Sequence, residues 1–208
     1  VLMETPFTPD QEKATLGSIP LVENILTIPG AAVGVFSSSP NGVLVFQTGA
    51  SAGADQLVFW TDIESGGLQP VGEPGQLFKP TISPDGSTAA IEVREESTEG
   101  TDLWLQDLVT GLRTRFTFAP GDETRSVWSP NGDSLFYVVA NDGRWQIIQQ
   151  PVEGQGGAAI ILESEKNVFP TDVSPDGKTL LVNFQREDGN FEMRTLSLEA
   201  GKDEFQTL

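Results

Sequence analysis

The chain contains no cysteine and no histidine among its 208 residues. Without cysteine no disulfide can form, so cysteine usage does not indicate a redox compartment. The absence of both residue types also removes the usual ligands of zinc, copper and haem. Without an imidazole the chain cannot form a Ser-His-Asp triad. We therefore predict no cofactor, no metal site, no catalytic residue and no enzymatic activity.

Basic residues are scarce, with 12 Lys and Arg against 30 Asp and Glu and a formal net charge of −18. A chain this acidic repels nucleic acid and anionic lipid, which bind proteins through Lys and Arg. No apolar run approaches the roughly 18 residues of a membrane span, and residues 1–10 lack the features of a signal peptide. We predict no nucleic-acid partner and no membrane insertion of this chain, and we expect any export signal or anchor outside it.

Turn-forming residues are abundant, with 22 Gly and 14 Pro. The tetrapeptide Ser-Pro-(Asn/Asp)-Gly occurs four times, starting at Ser39, Ser83, Ser129 and Ser174, so successive copies lie 44, 46 and 45 residues apart. An apolar run precedes each copy, and further runs with strand chemistry follow it, separated by polar or Gly-containing turns. No segment has a helical period. One four-stranded unit per roughly 45 residues is typical of a β-propeller blade.

The repeated tetrapeptide has the chemistry of a tight turn between two strands. Proline fixes φ, Asn or Asp bonds back to the chain, and glycine adopts the left-handed conformation that closes the turn. We predict that these turns join the first strand of each blade to the second and that their glycines have positive φ. The structural glycines are Gly42, Gly86, Gly132 and Gly177.

The sequence therefore predicts an all-β fold, a β-propeller with about four consecutive four-stranded antiparallel blades. The predicted blades cover residues 29–72, 73–118, 119–162 and 163–208. Residues 1–28 are expected to supply outer strands of a preceding blade, from Leu2–Phe7 and Ser18–Ile28. We expect the chain to be part of a larger propeller. Open terminal blades would expose strand edges, which favours self-association.

Several segments of the repeats resemble known propellers. The segments Val127–Gly132 and Thr171–Gly177 are similar to the repeats of TolB-like, WD40-like (PD40-type) propellers, and Phe36–Gly49 and Asp102–Leu108 also resemble propellers fused to bacterial serine/threonine kinases. This resemblance implies a periplasmic or extracytoplasmic module. The chain itself contains no kinase motif.

Three functions are compatible with this resemblance, because one propeller fold serves many functions. The first is a non-catalytic module for protein or peptide interaction or ligand sensing, such as the sensor part of a receptor kinase or a TolB-like component. The second is the gating propeller of a prolyl-oligopeptidase-like serine peptidase whose catalytic domain lies outside this chain. The third is a glycan-binding propeller.

A ligand is expected at one mouth of the central channel, in the loops that join fourth strands to the next first strands and second strands to third strands. These loops include Gly49–Asp55 and Glu95–Thr101 and mix acidic with basic residues. Mixed charge suits a peptide or protein surface better than an apolar small molecule. The candidate ligand-binding residues are Lys79, Asp122, Arg125, Arg144, Lys166 and Arg186.

Two further features have competing interpretations. Asn141–Gly143 and Glu187–Asn190 have oxygen-rich side chains suited to Ca²⁺, but neither matches a Ca²⁺-binding loop, so we favour solvated turns. Trp60 and Trp145 lie near predicted loop ends, where they could serve as exposed anchors.

Overall fold

The computed structural model describes residues 1–4, 19–23, 25–28, 33–48, 56–62, 69–95, 100–153, 156–199 and 205–207. Every regular element in these ranges is a β-strand. Within the same ranges there is no helix long and apolar enough to cross a membrane. The predicted all-β class is confirmed.

Sixteen strands form four antiparallel four-stranded sheets in chain order, which we call the first to fourth blades. The first blade contains β5 (Phe36–Ser38), β6 (Val43–Gln47), β7 (Gln56–Asp62) and β8 (Gln69–Gly75). The second contains β9 (Leu77–Ile82), β10 (Thr88–Val93), β11 (Asp102–Asp107) and β12 (Arg113–Arg115). The third contains β13 (Asp122–Trp128), β14 (Ser134–Asn141), β15 (Arg144–Pro151) and β16 (Ala159–Ser164). The fourth contains β17 (Val168–Val173), β18 (Thr179–Gln185), β19 (Phe191–Ser197) and β20 (Phe205–Thr207).

The strand pairing does not define where one blade ends and the next begins, so the blade limits at residues 72, 118 and 162 remain predictions. Two strands continue past these limits because their pairing continues. Gly75 at the end of β8 pairs with Gln56, and Ser164 at the end of β16 pairs with Trp145.

The amino-terminal segment differs from the predicted pair of outer strands. β1 (Leu2–Glu4) and β2 (Ile19–Val22) pair with each other, but β3 (Thr27–Ile28) pairs with β4 (Val33–Gly34) instead of extending β2. The backbone amide of Leu26 donates to the carbonyl of Gln47 at 2.7 Å, and the Leu26 side chain is buried. This hydrogen bond and this burial place residues 25–28 against the first blade. Residues 5–7 and 18 of the predicted strands lie outside the described residues.

The second strands of the second and third blades pack against both neighbouring blades, because successive side chains of a strand point to opposite faces. In β10, Ile91 packs with Val45 of the first blade, whereas Ala90 packs with Leu135 of the third. In β14 the alternation repeats, since Leu135 faces the second blade and Phe136 packs against the fourth. The hydrophobic core is therefore a series of sheet-on-sheet interfaces.

The four Ser-Pro-(Asn/Asp)-Gly turns join first to second strands. Their glycines have φ of 85°, 75°, 77° and 72° at Gly42, Gly86, Gly132 and Gly177. In each turn the glycine amide donates to the serine carbonyl, at 2.8–3.1 Å. The turns lie at one end of the first strands, so the loops predicted to bind a ligand are placed at the other end.

Candidate functional site at the central groove

The first strands of the four blades line a central groove with two cavities. The lower cavity, about 820 Å³, lies at the turn end, where Pro40, Pro84, Pro130 and Pro175 contribute to its wall. The upper cavity, about 470 Å³, is lined by the starts of first strands and by the loops between second and third strands. Lys79 and Arg125 line both cavities, so they lie where the two cavities meet.

Lys79 and Arg125 occupy equivalent positions in neighbouring blades, each four residues before the turn serine. Both have positive φ, 41° and 56°, which is uncommon for residues other than glycine. The pairing of each first strand with the second shifts register at this point, as in a β-bulge. Bulges re-aim side chains, and strained backbone of this kind concentrates at functional sites.

A buried carboxylate, that of Glu92 in β10, connects the two bulges. Its Oε1 accepts a hydrogen bond from the backbone amide of Arg125 at 2.8 Å. Lys79 Nζ lies 3.5 Å from both Glu92 carboxylate oxygens. Glu92 is only 4% exposed. Its ion pair with Lys79 and its bond to the Arg125 backbone therefore fix both basic residues relative to the groove.

The Arg125 side chain is oriented by an aromatic ring of the fourth blade. Its guanidinium carbon lies 4.0 Å from the centroid of the Phe169 ring, the geometry of a cation–π contact. Arg125 makes no ion pair within the described part of the chain. Because the ring covers one face of the guanidinium, the donors at its edges stay available to a ligand in the groove.

A third basic residue, Arg94, lines the upper cavity beside Asp122. Asp122 Oδ1 accepts from the backbone amide of Thr101 at 3.0 Å, and Arg94 Nη2 lies 4.0 Å from the same oxygen. The residues that line the upper cavity include three cations and two carboxylates, an excess of one positive charge: Lys79, Arg94, Arg125, Glu92 and Asp122. The cavity is thus locally positive in a chain whose net charge is −18.

Comparison with known proteins identifies the family of this propeller. The TolB beta propeller domain (PD40) matches residues 37–207. The chain belongs to this family.

Solved structures share the fold of this chain. The chain superposes on a putative TolB from Agrobacterium tumefaciens with a TM-score of 0.69 and 18% identity, over 83% of this chain and 63% of that one. It superposes on TolB from Acinetobacter baumannii with a TM-score of 0.67 and 16% identity, over 91% of this chain and 47% of that one. An uncharacterized peptidase of Bacillus subtilis (strain 168), YuxL, is 29% identical over 115 residues, 53% of this chain and 17% of the peptidase. The chain therefore spans less than two thirds of each of these proteins.

The TolB-type propeller brings together only half of the candidate ligand-binding residues. Lys79, Asp122 and Arg125 line the upper cavity. Arg144, Lys166 and Arg186 line neither cavity and form surface ion pairs instead. Their nearest carboxylate oxygens belong to Glu163 at 3.4 Å, Glu187 at 3.0 Å and Asp188 at 3.6 Å, respectively. Of the predicted mouth loops, Gly49–Asp55 and residues 96–99 lie outside the described residues.

Two amide side chains that line the upper cavity of this TolB-type propeller were not predicted from the sequence. Gln47 is fully buried, and its Nε2 donates to the carbonyl of Leu77 at 2.8 Å. That bond fixes the amide orientation and leaves Gln47 Oε1 without a partner within the described residues. Asn167 Oδ1 also lacks a partner there. Trp145, predicted as a possible anchor, is half-buried and contributes to the same cavity wall.

The oxygen-rich segments considered for Ca²⁺ are hairpin turns. Asp142 and Gly143, with φ of 49° and 77°, form a two-residue turn closed by the Asn141–Arg144 pair. Asp188 Oδ1 accepts from the backbone amide of Asn190 at 3.0 Å, and this bond holds the pKa of Asp188 below its usual value. Across the described ranges, no three acidic side chains cluster in a way that suits a metal ion.

Proposed function

We propose that this TolB-type propeller is a non-catalytic module that binds a peptide or an exposed protein segment in the upper cavity. The observation that supports this proposal is the positive excess of the cavity within a strongly acidic chain. Cations scattered over the surface would be offset by the many surrounding carboxylates, whereas three cations beside two carboxylates in one concave site leave a net attraction for anionic groups there. The proposal predicts a partner that presents both charged and apolar groups.

The cavity walls also suit an extended peptide. Gln47 Oε1 and Asn167 Oδ1 are buried acceptors without a partner within the described residues, and such acceptors are costly unless a ligand or water satisfies them. Trp145 offers an apolar surface beside them. Aromatic side chains surrounded by polar groups are common at the centre of protein interfaces.

A selection experiment tests this proposal. Peptides selected from a random display library against the chain should lose roughly 10-fold or more in affinity when Trp145 is replaced by Ala, the usual effect of truncating an interface aromatic. The matched control is Arg144→Ala, because the Arg144 side chain is exposed and lies outside both cavities. Affinities measured by isothermal titration that fall equally in both variants, or a library without enriched peptides, would contradict the proposal.

A specific comparison favours a second candidate, the gate of a serine peptidase. The similarity to the Bacillus subtilis peptidase covers 115 residues of this chain. Lys79 and Arg125, where the upper and lower cavities meet, would then control passage through the groove. The full reading frame distinguishes the two candidates, because a peptidase gate requires a hydrolase domain in the same protein and the first candidate does not. The glycan-binding alternative stays a prediction.

A further inference from the structure

We infer that Arg125, assisted by Lys79, forms a carboxylate-binding subsite where the two cavities meet. This inference rests on the proposed function and specifies the chemistry of the ligand. The carboxylate would belong either to the carboxyl terminus of a peptide or to an Asp or Glu side chain within it.

Within the described residues Arg125 has no acidic partner, although carboxylates outnumber cations in the chain. The structure describes ten Lys and Arg side chains. Eight lie within 4.0 Å of a carboxylate oxygen: Lys79, Arg94, Arg115, Arg144, Lys166, Lys178, Arg186 and Arg194. Arg113 instead donates to Gln106 and to the carbonyl of Glu73. Within the described part of the chain, Arg125 alone has neither kind of partner for its guanidinium.

The protein orients Arg125 as a receptor for a planar anion. Phe169 lies against one face of the guanidinium, and the amide of Arg125 is bonded to the buried Glu92 carboxylate. The positive φ of Arg125 costs free energy, which these contacts offset. A guanidinium whose face is stacked can still donate two parallel N–H groups to a carboxylate, and such bidentate pairs are among the strongest hydrogen bonds in proteins.

The charges next to Arg125 also favour an anionic ligand. Lys79 Nζ is 3.5 Å from Glu92, and the Lys79 side chain is 38% exposed, so it lies at the groove surface. Glu92 is almost fully covered and uses one carboxylate oxygen for the Arg125 amide, so it competes weakly for a ligand's cation or donor. A ligand carboxylate would therefore approach two cations beside the shielded Glu92, while the half-exposed Asp122 and the exposed Asp172 line the upper and lower cavities, respectively.

Three matched peptides provide the test. The first is acetyl-pentaalanine with a free carboxyl terminus, the second is its carboxamide, and the third is acetyl-Ala-Ala-Glu-Ala-Ala-carboxamide. Each is titrated into the chain labelled with ¹⁵N-arginine while the side-chain Nε–Hε signals are followed by NMR. We expect the Arg125 signal, assigned by its loss in Arg125→Lys, to shift with one or both acidic peptides and not with the neutral one. Which acidic peptide binds identifies the source of the carboxylate.

Variants separate a recognition role from a structural one. Arg125→Gln should weaken binding of the acidic peptide by about 10- to 100-fold, the loss expected for a charge-assisted hydrogen bond. Arg125→Lys should lose less, because it keeps the charge without the planar pair of donors. Arg144→Gln is the control and should bind as the wild type does, and a dispersed NMR spectrum of each variant checks folding.

Two outcomes would overturn the inference. If the neutral peptide binds as tightly as the acidic ones, loses affinity in Trp145→Ala and leaves the Arg125 signal unchanged, the proposed function stands and the carboxylate subsite is wrong. If the acidic peptides bind equally well to Arg125→Gln, or do not bind at all, the subsite is also wrong.

Discussion

At the residue scale, the serine hydroxyl of each repeated turn bonds to the backbone at the start of the following strand. In the second blade, Ser83 Oγ donates to Asp85 Oδ1 at 2.6 Å and accepts from the backbone amide of Thr88 at 3.0 Å. The hydroxyl of Ser83 and the amide of Ser87 hold the pKa of Asp85 below its usual value. The same serine-to-strand bond recurs in the other three turns, at 2.9–3.1 Å. The serine hydroxyl therefore stabilises the turn, in addition to the left-handed conformation of the glycine.

Two of the turn glycines should differ in their response to substitution. Gly86 and Gly177 both have positive φ, so Ala costs about 1–2 kcal/mol at either site from backbone strain. A Cβ at Gly86 would also lie 2.8 Å from Asn41 Oδ1 and 2.9 Å from Val43 Cγ2, whereas nothing lies within 4 Å of one at Gly177. We expect Gly86→Ala to lower the free energy of unfolding in urea by about 1 kcal/mol more than Gly177→Ala.

Equal losses for these two variants would show that the contact between the first and second turns contributes nothing to stability. Gly177→Asn is a useful control, because asparagine tolerates the left-handed region better than alanine does. Its loss of stability should be the smallest of the three.

Single-residue functions were harder to predict from the sequence than the turns. The repeat places Lys79, Asp122 and Arg125 in mouth loops or at the starts of first strands, and all three line the upper cavity. Glu92 was missed because it lies inside the apolar run of β10, and its role depends on a bulge in another blade. Arg144 lies outside both cavities, and its pairing with Glu163 depends on the register between β15 and β16, which the repeat does not specify.

At the scale of elements, two buried carboxyl groups meet between the second and third blades. Glu123 of β13 is 1% exposed and Asp102 of β11 is 3% exposed, and Glu123 Oε2 and Asp102 Oδ2 lack hydrogen-bond partners within the described residues. Burial raises the pKa of Glu123, and the charge of Asp102 raises it further. Arg115 Nη2 lies 2.8 Å from Asp102 Oδ1, so a cation compensates that carboxylate, whereas Glu123 forms no ion pair within the described residues.

This pair should make stability depend on pH. A raised pKa in the folded state means that Glu123 stabilises the fold below its unfolded pKa, and that this contribution is lost as the pH rises through the folded pKa. Glu123→Gln keeps the shape without the charge. We expect it to raise the free energy of unfolding by roughly 1 kcal/mol at pH 8, on the scale of one hydrogen bond, with a smaller gain at pH 5.

Urea unfolding at both pH values measures this effect. Glu163→Gln is the control, because Glu163 lies in an exposed ion pair. The stability of the control should change with pH as that of the wild type does. A Glu123→Gln variant that is less stable than the wild type at both pH values would show that the carboxylate form is the stabilising one.

The repeat predicted the order of the strands well, but local departures from regular pairing did not follow from it. The shift opposite Lys79 and the equivalent shift at Arg125 depend on packing between blades, because Glu92 of one blade bonds to the backbone of the next. The pairing of residues 25–28 with the first blade likewise depends on the burial of Leu26, not on a local strand pattern.

At the scale of the whole molecule, the fourth blade exposes apolar side chains on the face opposite the third blade. Leu180 and Val182 of β18 pack against the third blade. By alternation Leu181 points to the opposite face, together with Met193 and Phe191, which pair with Asn183 and Gln185 of β18. Met193 is 44% exposed and Phe191 is 47% exposed. Burying such side chains against a second copy would remove apolar surface from water.

We therefore expect the 208-residue chain to self-associate through this face of the fourth blade. Light scattering should show a mass that rises with protein concentration. Because each copy has a net charge of −18, repulsion opposes association, and raising the salt concentration from ~20 mM to ~200 mM should strengthen it. Met193→Glu adds a charge to the face and should shift the chain towards the monomer. Val109→Glu, at a residue 87% exposed in a turn of the second blade, should have no such effect. A chain that stays monomeric at all concentrations, or equal behaviour of the two variants, would show that this face does not associate.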